Sequence, residues 1–251
     1  MSKKAVILAG GLGTRLGELT RTVNKHLLPV GSSPMIFWPI RFLVKNGFDE
    51  ILIVVGSKST GEILHQVGDG SRFGAKILYA FQEGEGGIAA ALSLASLFTR
   101  FSASIFPVVL GDNIFLAPVD LTRRFRDFSC QNNKNVVVFC APCKDPELFG
   151  VAVVRDGKIV EVVEKPTYKI NGECLTITGL YLYHNGVYDI IDQLKPSKRG
   201  ELEISDVNNY YAKLGSLHYE MVDRWIDCGT ASSYIEANKW MQEYEKNKET
   251  R

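Results

Sequence analysis

The chain has 251 residues, of which 45% are hydrophobic and 23% are charged, and its formal net charge is +1. Because Lys and Arg are dispersed, this composition argues against nucleic-acid and anionic-membrane partners and indicates a globular enzyme acting on small molecules. No segment reaches the roughly 18 apolar residues of a membrane span, and residues 5–9 are too few for a signal-peptide core, so we expect a cytoplasmic protein.

The first half of the chain alternates between short apolar runs and helical patterns. Strands are predicted at residues 5–9, 50–55, 76–81, 105–110 and 135–140, and helices at 34–46, 60–67, 87–98 and 120–129. This alternation predicts an α/β fold with a doubly wound, mostly parallel, Rossmann-like sheet. Ligands of such sheets bind at the carboxyl ends of the strands.

The second half is richer in strands. A hairpin is predicted from residues 150–155 and 158–164 around an Asp-Gly turn, followed by a strand at 173–183. Two closing helices at 204–213 and 232–246 precede a charged tail that we expect to fray from residue 246 onward. Because no linker separates the halves, we expect one domain spanning residues 1–251, with a nucleotide-binding half at about 1–140 and a smaller lobe at 141–251.

The first predicted strand leads into Leu8-Ala9-Gly10-Gly11-Leu12-Gly13-Thr14-Arg15. Glycines allow backbone N–H groups to approach an anion, and the Arg15 guanidinium suits phosphate oxygens, so the segment predicts a phosphate-binding loop. A plain glycine-rich turn is the alternative. A Walker loop is excluded because no Gly-Lys-Ser/Thr ends the segment, and a dinucleotide fingerprint is excluded by the large Leu16.

A carboxylate follows the fourth predicted strand in Gly111-Asp112-Asn113. Asp112 stands where α/β nucleotide enzymes bind Mg²⁺ through one or two carboxylates and the substrate phosphates. The alternative is that Asp112 caps the following turn. Beside the glycine-rich loop, the metal interpretation is the stronger.

The five cysteines lie at positions 130, 140, 143, 174 and 228. An odd and widely spread set indicates reduced thiols. Cys140 and Cys143 form a Cys-x-x-Cys motif after a strand, but Pro146 and Gly150 interrupt the helix that a redox motif would need. We therefore predict a structural loop here, and neither a redox pair nor a zinc site.

Several of these motifs resemble the signature of the sugar-nucleotide pyrophosphorylases, most closely the short-form glucose-1-phosphate thymidylyltransferases. The matching segments are Gly10-Gly11-x-Gly13-Thr14-Arg15-Leu16, Lys25-x-Leu27-Leu28-Pro29-Val30, Gly111-Asp112-Asn113, Glu164-Lys165-Pro166 and Trp225-x-Asp227-x-Gly229-Thr230. Residues 195–204 fit as well, so the resemblance extends from about residue 4 to about 241. It implies a nucleotide-diphospho-sugar transferase fold in which the β-rich lobe binds the sugar.

The resemblance also implies a set of site residues. Arg15 and Lys25 would be catalytic. The nucleotide would be bound by Leu8, Gly10, Gly11, Gly13, Thr14, Gln82, Gly87 and Asp112, and the sugar phosphate by Asn113, Gly150, Glu164, Lys165 and Thr178. Asp112 and Asp227 would bind Mg²⁺ as the cofactor. The residues alone leave open that Gln82 is an exposed loop amide, that Glu164 and Lys165 end a solvated strand, and that Asp227 lies near a helix cap.

The implied reaction is Mg²⁺-dependent: glucose 1-phosphate attacks the α-phosphorus of dTTP in line, giving dTDP-glucose and pyrophosphate. Uridylyl or cytidylyl transfer, or another sugar 1-phosphate, is the alternative within the class. An inactive nucleotide-sugar-binding module is the alternative outside it, and Arg15, Lys25, Asp112 and Asp227 together argue against that. We also expect a homo-oligomer, either a dimer or a tetramer.

Overall fold

The computed structural model describes residues 3–56, 60–100, 105–117, 119–121, 123 and 135–249. Its strands are β1 (Lys4–Ala9), β2 (Pro29–Val30), β3 (Ser33–Pro34), β4 (Glu50–Gly56), β5 (Lys76–Gln82), β6 (Ile105–Leu110), β7 (Asn113–Phe115), β8 (Val136–Pro142), β9 (Gly150–Arg155), β10 (Lys158–Glu164), β11 (Glu173–His184), β12 (Leu217–Met221) and β13 (Trp225–Asp227). Its α-helices are α1 (Phe37–Lys45), α2 (Thr60–Val67), α3 (Ile88–Ser93), α4 (Ser96–Thr99), α5 (Val187–Ile191), α6 (Ile204–Lys213) and α7 (Ala231–Glu249).

A nine-stranded sheet forms the centre of the molecule. Strands β6, β1, β4 and β5 are adjacent in that order and parallel, as predicted for the first half. The twelve-residue β11 then pairs antiparallel with β6, β8 and β9, so that it links the parallel strands to the β9–β10 hairpin. The predicted α/β fold is confirmed, and the sheet is continuous through both halves.

Both faces of the parallel strands β6, β1 and β4 are buried, which explains their nearly uninterrupted apolar sequences, whereas the edge strand β5 is partly exposed. In β1, Val6 and Leu8 belong to the core on one face, and Ala5, Ile7 and Ala9 to the core on the other. A third, smaller core packs around Leu16, Leu28, Ile226 and Met241. It holds the segment after the glycine-rich loop, the Lys25 segment, β13 and α7 against one another, and so joins chain segments that are remote in sequence.

Every predicted strand appears within two residues of its expected bounds, and α6 has the predicted bounds. Two predicted helices in the first half of the chain differ. The helix expected from residue 34 begins at Phe37, because Ser33 and Pro34 pair with β2. The helix expected at 87–98 is divided into α3 and α4, because the amides of Leu94 and Ala95 donate to carbonyls three residues back and tighten the turn.

Of the tail that we expected to fray from residue 246 onward, residues 246–249 instead belong to α7, and residues 250–251 lie outside the described residues. The predicted helix at 120–129 lies almost entirely outside the described residues, as does Cys130. Within the described part of the chain, no helix has the length and apolar character needed to cross a bilayer.

Candidate active site

A pocket of about 380 Å³ opens at the carboxyl end of β1. Fourteen of the predicted site residues line it: Leu8, Gly10, Gly11, Thr14, Arg15, Lys25, Gln82, Gly87, Asp112, Gly150, Glu164, Lys165, Thr178 and Asp227. Its size is within the usual range for small-molecule sites, and residues from both halves of the chain form its wall. Gly13 and Asn113 are not on this wall.

The glycine-rich loop wraps closely around the Lys25 side chain. A Cβ on Gly11 would lie 3.1 Å from the Lys25 Nζ, and a Cβ on Gly13 would lie 2.9 Å from the Lys25 Cβ. Gly13 has a φ of 75°, a left-handed conformation that favours glycine. In this structure Gly13 therefore shapes the loop around Lys25, and its predicted contact with the nucleotide stays a prediction.

Lys25 and Asp112 form an ion pair across the pocket floor. Their Nζ and Oδ2 atoms are 2.5 Å apart, and the side chains are only 11% and 8% exposed. Burial favours the neutral form of Asp112, but the nearby positive charge and hydrogen bond of Lys25 outweigh it and hold the pKa of this carboxyl well below its usual value. Asp112 is consequently ionised at neutral pH.

Asn113 joins the two predicted metal ligands from behind the pocket. Its Nδ2 donates to Asp112 Oδ1 at 3.0 Å and to Asp227 Oδ2 at 3.2 Å. Its Oδ1 accepts from the Gly179 amide at 3.0 Å and from the Trp225 indole at 2.5 Å. The side chain is fully buried and its amide is engaged with protein groups, and its contact with the sugar phosphate stays a prediction.

Asp227 ends β13 beside the positively charged Arg15. Its Oδ1 accepts from the Gly229 amide at 2.7 Å, and a Cβ on Gly229 would lie 2.8 Å from Arg15 Nη2. Burial, together with the negative charge of Asp112, raises the pKa of Asp227 to about 6. Two carboxylates, one buried and one half-buried, that repel each other in this way would gain from a cation between them.

This donor set fits Mg²⁺. The described residues contain no group of three or more His, Cys, Asp or Glu side chains arranged for a metal. The pocket offers two carboxylates, which accept hydrogen bonds from one side-chain amide. This arrangement matches the way Mg²⁺ binds in nucleotide enzymes, where substrate phosphates complete its coordination. Asp227 does lie near the start of α7, where its Oδ1 accepts from the Gly229 amide, but its other carboxyl oxygen accepts from Asn113, so a role in metal binding stays a prediction.

Gln82 is buried next to Gly10, at the start of the glycine-rich loop. It is therefore not the exposed loop amide that the sequence left open. Its Nε2 donates to the Gly87 carbonyl at 3.2 Å, and its Oε1 lies so close to Gly10 that a Cβ there would be 2.3 Å away. A Cβ on Gly87 would meet the Leu202 carbonyl at 2.5 Å, so only glycine permits this close approach. The 86–89 loop and the segment that precedes α6 therefore form one wall.

The opposite wall is polar and comes from the second half of the chain. Glu164 accepts a short hydrogen bond from Ser205, and its Oε1 lies 3.7 Å from Lys165 Nζ and 3.6 Å from Arg199 Nη2. Gly150 faces this group, since a Cβ there would be 3.1 Å from Ser205 Oγ and 3.4 Å from Glu164 Oε2. Thr178 lines the same region while its hydroxyl donates to the Phe139 carbonyl at 2.7 Å.

Several pocket residues were not assigned a role from the sequence, and three of them are polar side chains that adjoin predicted site residues. They are His26, Arg199 and Ser205. Arg199 and Ser205 lie within or directly after the matching stretch 195–204, which was a usable signal. His26 is 1% exposed, and burial followed by the charge of Lys25 lowers its pKa to about 3, so it is neutral. Its position inside the Lys25 motif was the only sequence signal for it.

Residues 4–244 match the model of the Nucleotidyl transferase family. The chain belongs to this family. It is 39% identical over 243 residues to a glucose-1-phosphate thymidylyltransferase of Neisseria meningitidis, covering 95% of this chain and 82% of that protein. It is 38% identical over 244 residues to the protein of the same name in Xanthomonas campestris pv. campestris, with 96% and 81% covered.

Solved structures show the same nucleotidyl transferase fold. A Bacillus anthracis structure described as a glucose-1-phosphate thymidylyltransferase in complex with sucrose has a TM-score of 0.86 and 40% identity, covering 96% of this chain and 95% of that one. A UDP-glucose pyrophosphorylase complexed with UDP-glucose has a TM-score of 0.81 at 21% identity, covering 97% and 100%, and supports the fold alone.

Proposed function

We propose that this nucleotidyl transferase makes dTDP-glucose and pyrophosphate from dTTP and glucose 1-phosphate, with Mg²⁺ as cofactor. The observation that carries the proposal is the position of Asp112 and Asp227, which are 115 positions apart but hydrogen-bond to the same Asn113 amide at the floor of one pocket. The homologues named glucose-1-phosphate thymidylyltransferase support the choice of substrates.

The nucleotide belongs on the wall formed by the first half of the chain. The glycine-rich loop and Arg15 would bind the triphosphate, and Gln82 with the Gly87 backbone would bind the edge of the base. Lys25 is a compact positive charge next to Asp112, suited to the negative charge that develops on the triphosphate as pyrophosphate leaves.

The sugar phosphate belongs on the opposite wall. Glu164 is held by Ser205 and faces Gly150, a constellation suited to accepting hydrogen bonds from sugar hydroxyls. Lys165 and Arg199 flank Glu164 and provide positive charge for the phosphate. We assign these roles as part of the proposal, and with them the division into a nucleotide-binding half and a sugar-binding half.

The transfer needs no covalent intermediate with the protein. The chain positions two polyanions for in-line attack, and its cations stabilise the charge that moves to the leaving pyrophosphate. Asp112 and Asp227 would hold the metal ion, which when bound neutralises phosphate charge. His26 stays neutral at the pocket wall, with its Nδ1 2.9 Å from Asn24 Oδ1, and would keep the Lys25 segment in place.

The decisive experiment measures pyrophosphate release over a grid of nucleoside triphosphates and sugar 1-phosphates, with and without Mg²⁺. We expect the highest kcat/KM with dTTP and glucose 1-phosphate. Thymine and uracil present the same hydrogen-bonding edge, so the methyl group must carry much of the discrimination, and about 1–3 kcal/mol, or tenfold to a few hundredfold over UTP, is expected. Faster turnover with UTP, CTP or ATP would contradict the assignment.

The last part of the proposal concerns the cellular location and the oligomeric state of the protein. We expect a cytoplasmic homo-oligomer, a dimer or a tetramer, on the strength of the family resemblance. Sedimentation of the purified protein measures the assembly directly, and a monomer at micromolar concentration would contradict this part without affecting the proposed reaction.

A further inference from the structure

The Cys-x-x-Cys motif is divided by the fold. Cys140 is fully buried in the middle of the sheet within β8, whereas Cys143 follows the end of that strand and is half-buried. The two thiols therefore lie in different surroundings, and the neighbour of Cys143 is a third cysteine, Cys174, which stands 31 positions later in β11.

The register of the sheet places Cys143 opposite Cys174. Strands β8 and β11 are antiparallel, and their last pair is Pro142 with Leu175, so the next position outward joins Cys143 to Cys174. Opposed residues of an antiparallel pair have Cα atoms about 4.5 or 5.5 Å apart and side chains on the same face. Both separations are within the roughly 4.4–6.8 Å that a disulfide spans.

The two thiols also contact each other. The Cys174 thiol is hydrogen-bonded with that of Cys143, and burial together with this contact raises the pKa of Cys174. Both residues are half-buried, so a small oxidant can reach them. No disulfide joins them in this structure, which holds both as free thiols.

The segment between the two cysteines carries one wall of the active-site pocket. Residues 143–174 contain the whole β9–β10 hairpin, including Gly150, Glu164 and Lys165, all of which line the pocket. A covalent bond between Cys143 and Cys174 would tie the two ends of this segment together at its base.

We propose that Cys143 and Cys174 form a reversible cross-strand disulfide. This bond would close the segment 143–174, which carries Gly150, Glu164 and Lys165 into the pocket wall. In the reaction with a peroxide, the two thiols lose two protons and two electrons as the S–S bond forms, and hydrogen peroxide takes them up to become two molecules of water. A small dithiol reverses the step by thiol–disulfide exchange and is itself oxidised to a disulfide.

The test treats the full-length, fully reduced protein with a small excess of hydrogen peroxide. Peptide mapping by mass spectrometry without reductant should find Cys143 linked to Cys174 within one chain, with a loss of two free thiols. The melting temperature should rise by several degrees, because the cross-link restricts the unfolded chain, and dithiothreitol should reverse both changes.

Three variants make the test specific. Cys143→Ser and Cys174→Ser should each abolish the cross-link and the rise in melting temperature, whereas Cys130→Ser should retain both. A cross-link between Cys140 and Cys143, a cross-link only between molecules, or two thiols that stay free after peroxide would overturn the proposal. The readouts are mass and melting temperature, so the result does not depend on whether the proposed nucleotidyl transfer is correct.

Discussion

The Lys25 ammonium lies 2.5 Å from the Asp112 carboxylate, and both side chains are nearly buried beneath the glycine-rich loop. The pair links the two motifs that the sequence shows separately, and it provides a positive charge next to one of the two proposed metal ligands. Because Lys25 keeps the Asp112 carboxyl ionised and the two side chains are paired, a change in either should affect the whole phosphate-binding end of the pocket.

Lys25→Ala should reduce kcat by about 10²–10³, or roughly 3–4 kcal/mol, which is the effect of removing one preorganised charge from a transition state. Steady-state pyrophosphate release measures it. The matched control is Lys239→Ala, since Lys239 is exposed on α7 outside the pocket lining. Normal turnover of a folded Lys25→Ala protein would contradict the proposed role.

Asp112→Asn and Asp227→Asn should each remove most of the activity and increase the Mg²⁺ concentration needed for half-maximal rate. The double variant should be little worse than the worse single variant, because two groups that serve one ion are not additive. Titration of activity against Mg²⁺ at saturating dTTP measures this. Losses that multiply, or normal Mg²⁺ dependence of Asp227→Asn, would show that the carboxylates do not share a metal.

Asn113→Ala should raise the Mg²⁺ concentration needed for half-maximal rate and lower kcat/KM by at least about tenfold, because both carboxylates lose the donor that orients them. It should also destabilise the protein by about 1–3 kcal/mol, since the Gly179 amide and the Trp225 indole lose their acceptor. Trp225→Phe removes only one of these donors and should leave the Mg²⁺ dependence near normal.

The control for this prediction is Asn238→Ala. Asn238 accepts from the Gly31 amide and donates to the Tyr234 carbonyl, so it loses comparable hydrogen bonds outside the pocket lining. An Asn238→Ala protein with the same rise in Mg²⁺ requirement would show that the effect is only general destabilisation.

The raised pKa of Asp227 predicts how stability depends on pH in the metal-free protein. This carboxyl titrates near 3.8 when unperturbed and at about 6 in the fold, so the folded state binds more protons between those values. The contribution of this carboxyl to the free energy of unfolding is therefore complete below about pH 4. It falls by about 2–3 kcal/mol as the pH rises through 6.

Urea unfolding in EDTA from pH 4 to 8 measures the effect, and Asp227→Asn should lack this part of the slope. Added Mg²⁺ should restore stability to the parent above pH 6 and have much less effect on the variant. Parallel pH profiles for parent and variant would mean that the Asp227 carboxyl is not perturbed in the fold.

The sequence by itself determined most of the secondary structure and the location of the main motifs. Strands such as β6, β9 and β10 have the predicted bounds, because apolar runs and an Asp-Gly turn are local signals. The motifs around Gly10, Lys25 and Asp112 also marked the pocket in advance. The helical pattern failed at Pro34, where pairing within the short β2–β3 hairpin competes with it and delays the start of α1.

Only the tertiary structure decided which of the candidate residues act together. It placed Asn113 behind the pocket as the link between Asp112 and Asp227, brought Arg199 and Ser205 to Glu164, and paired Cys143 with Cys174 across two strands. These contacts depend on strand order and register, which are set by how the whole chain packs around its core, and no sequence spacing carries that information.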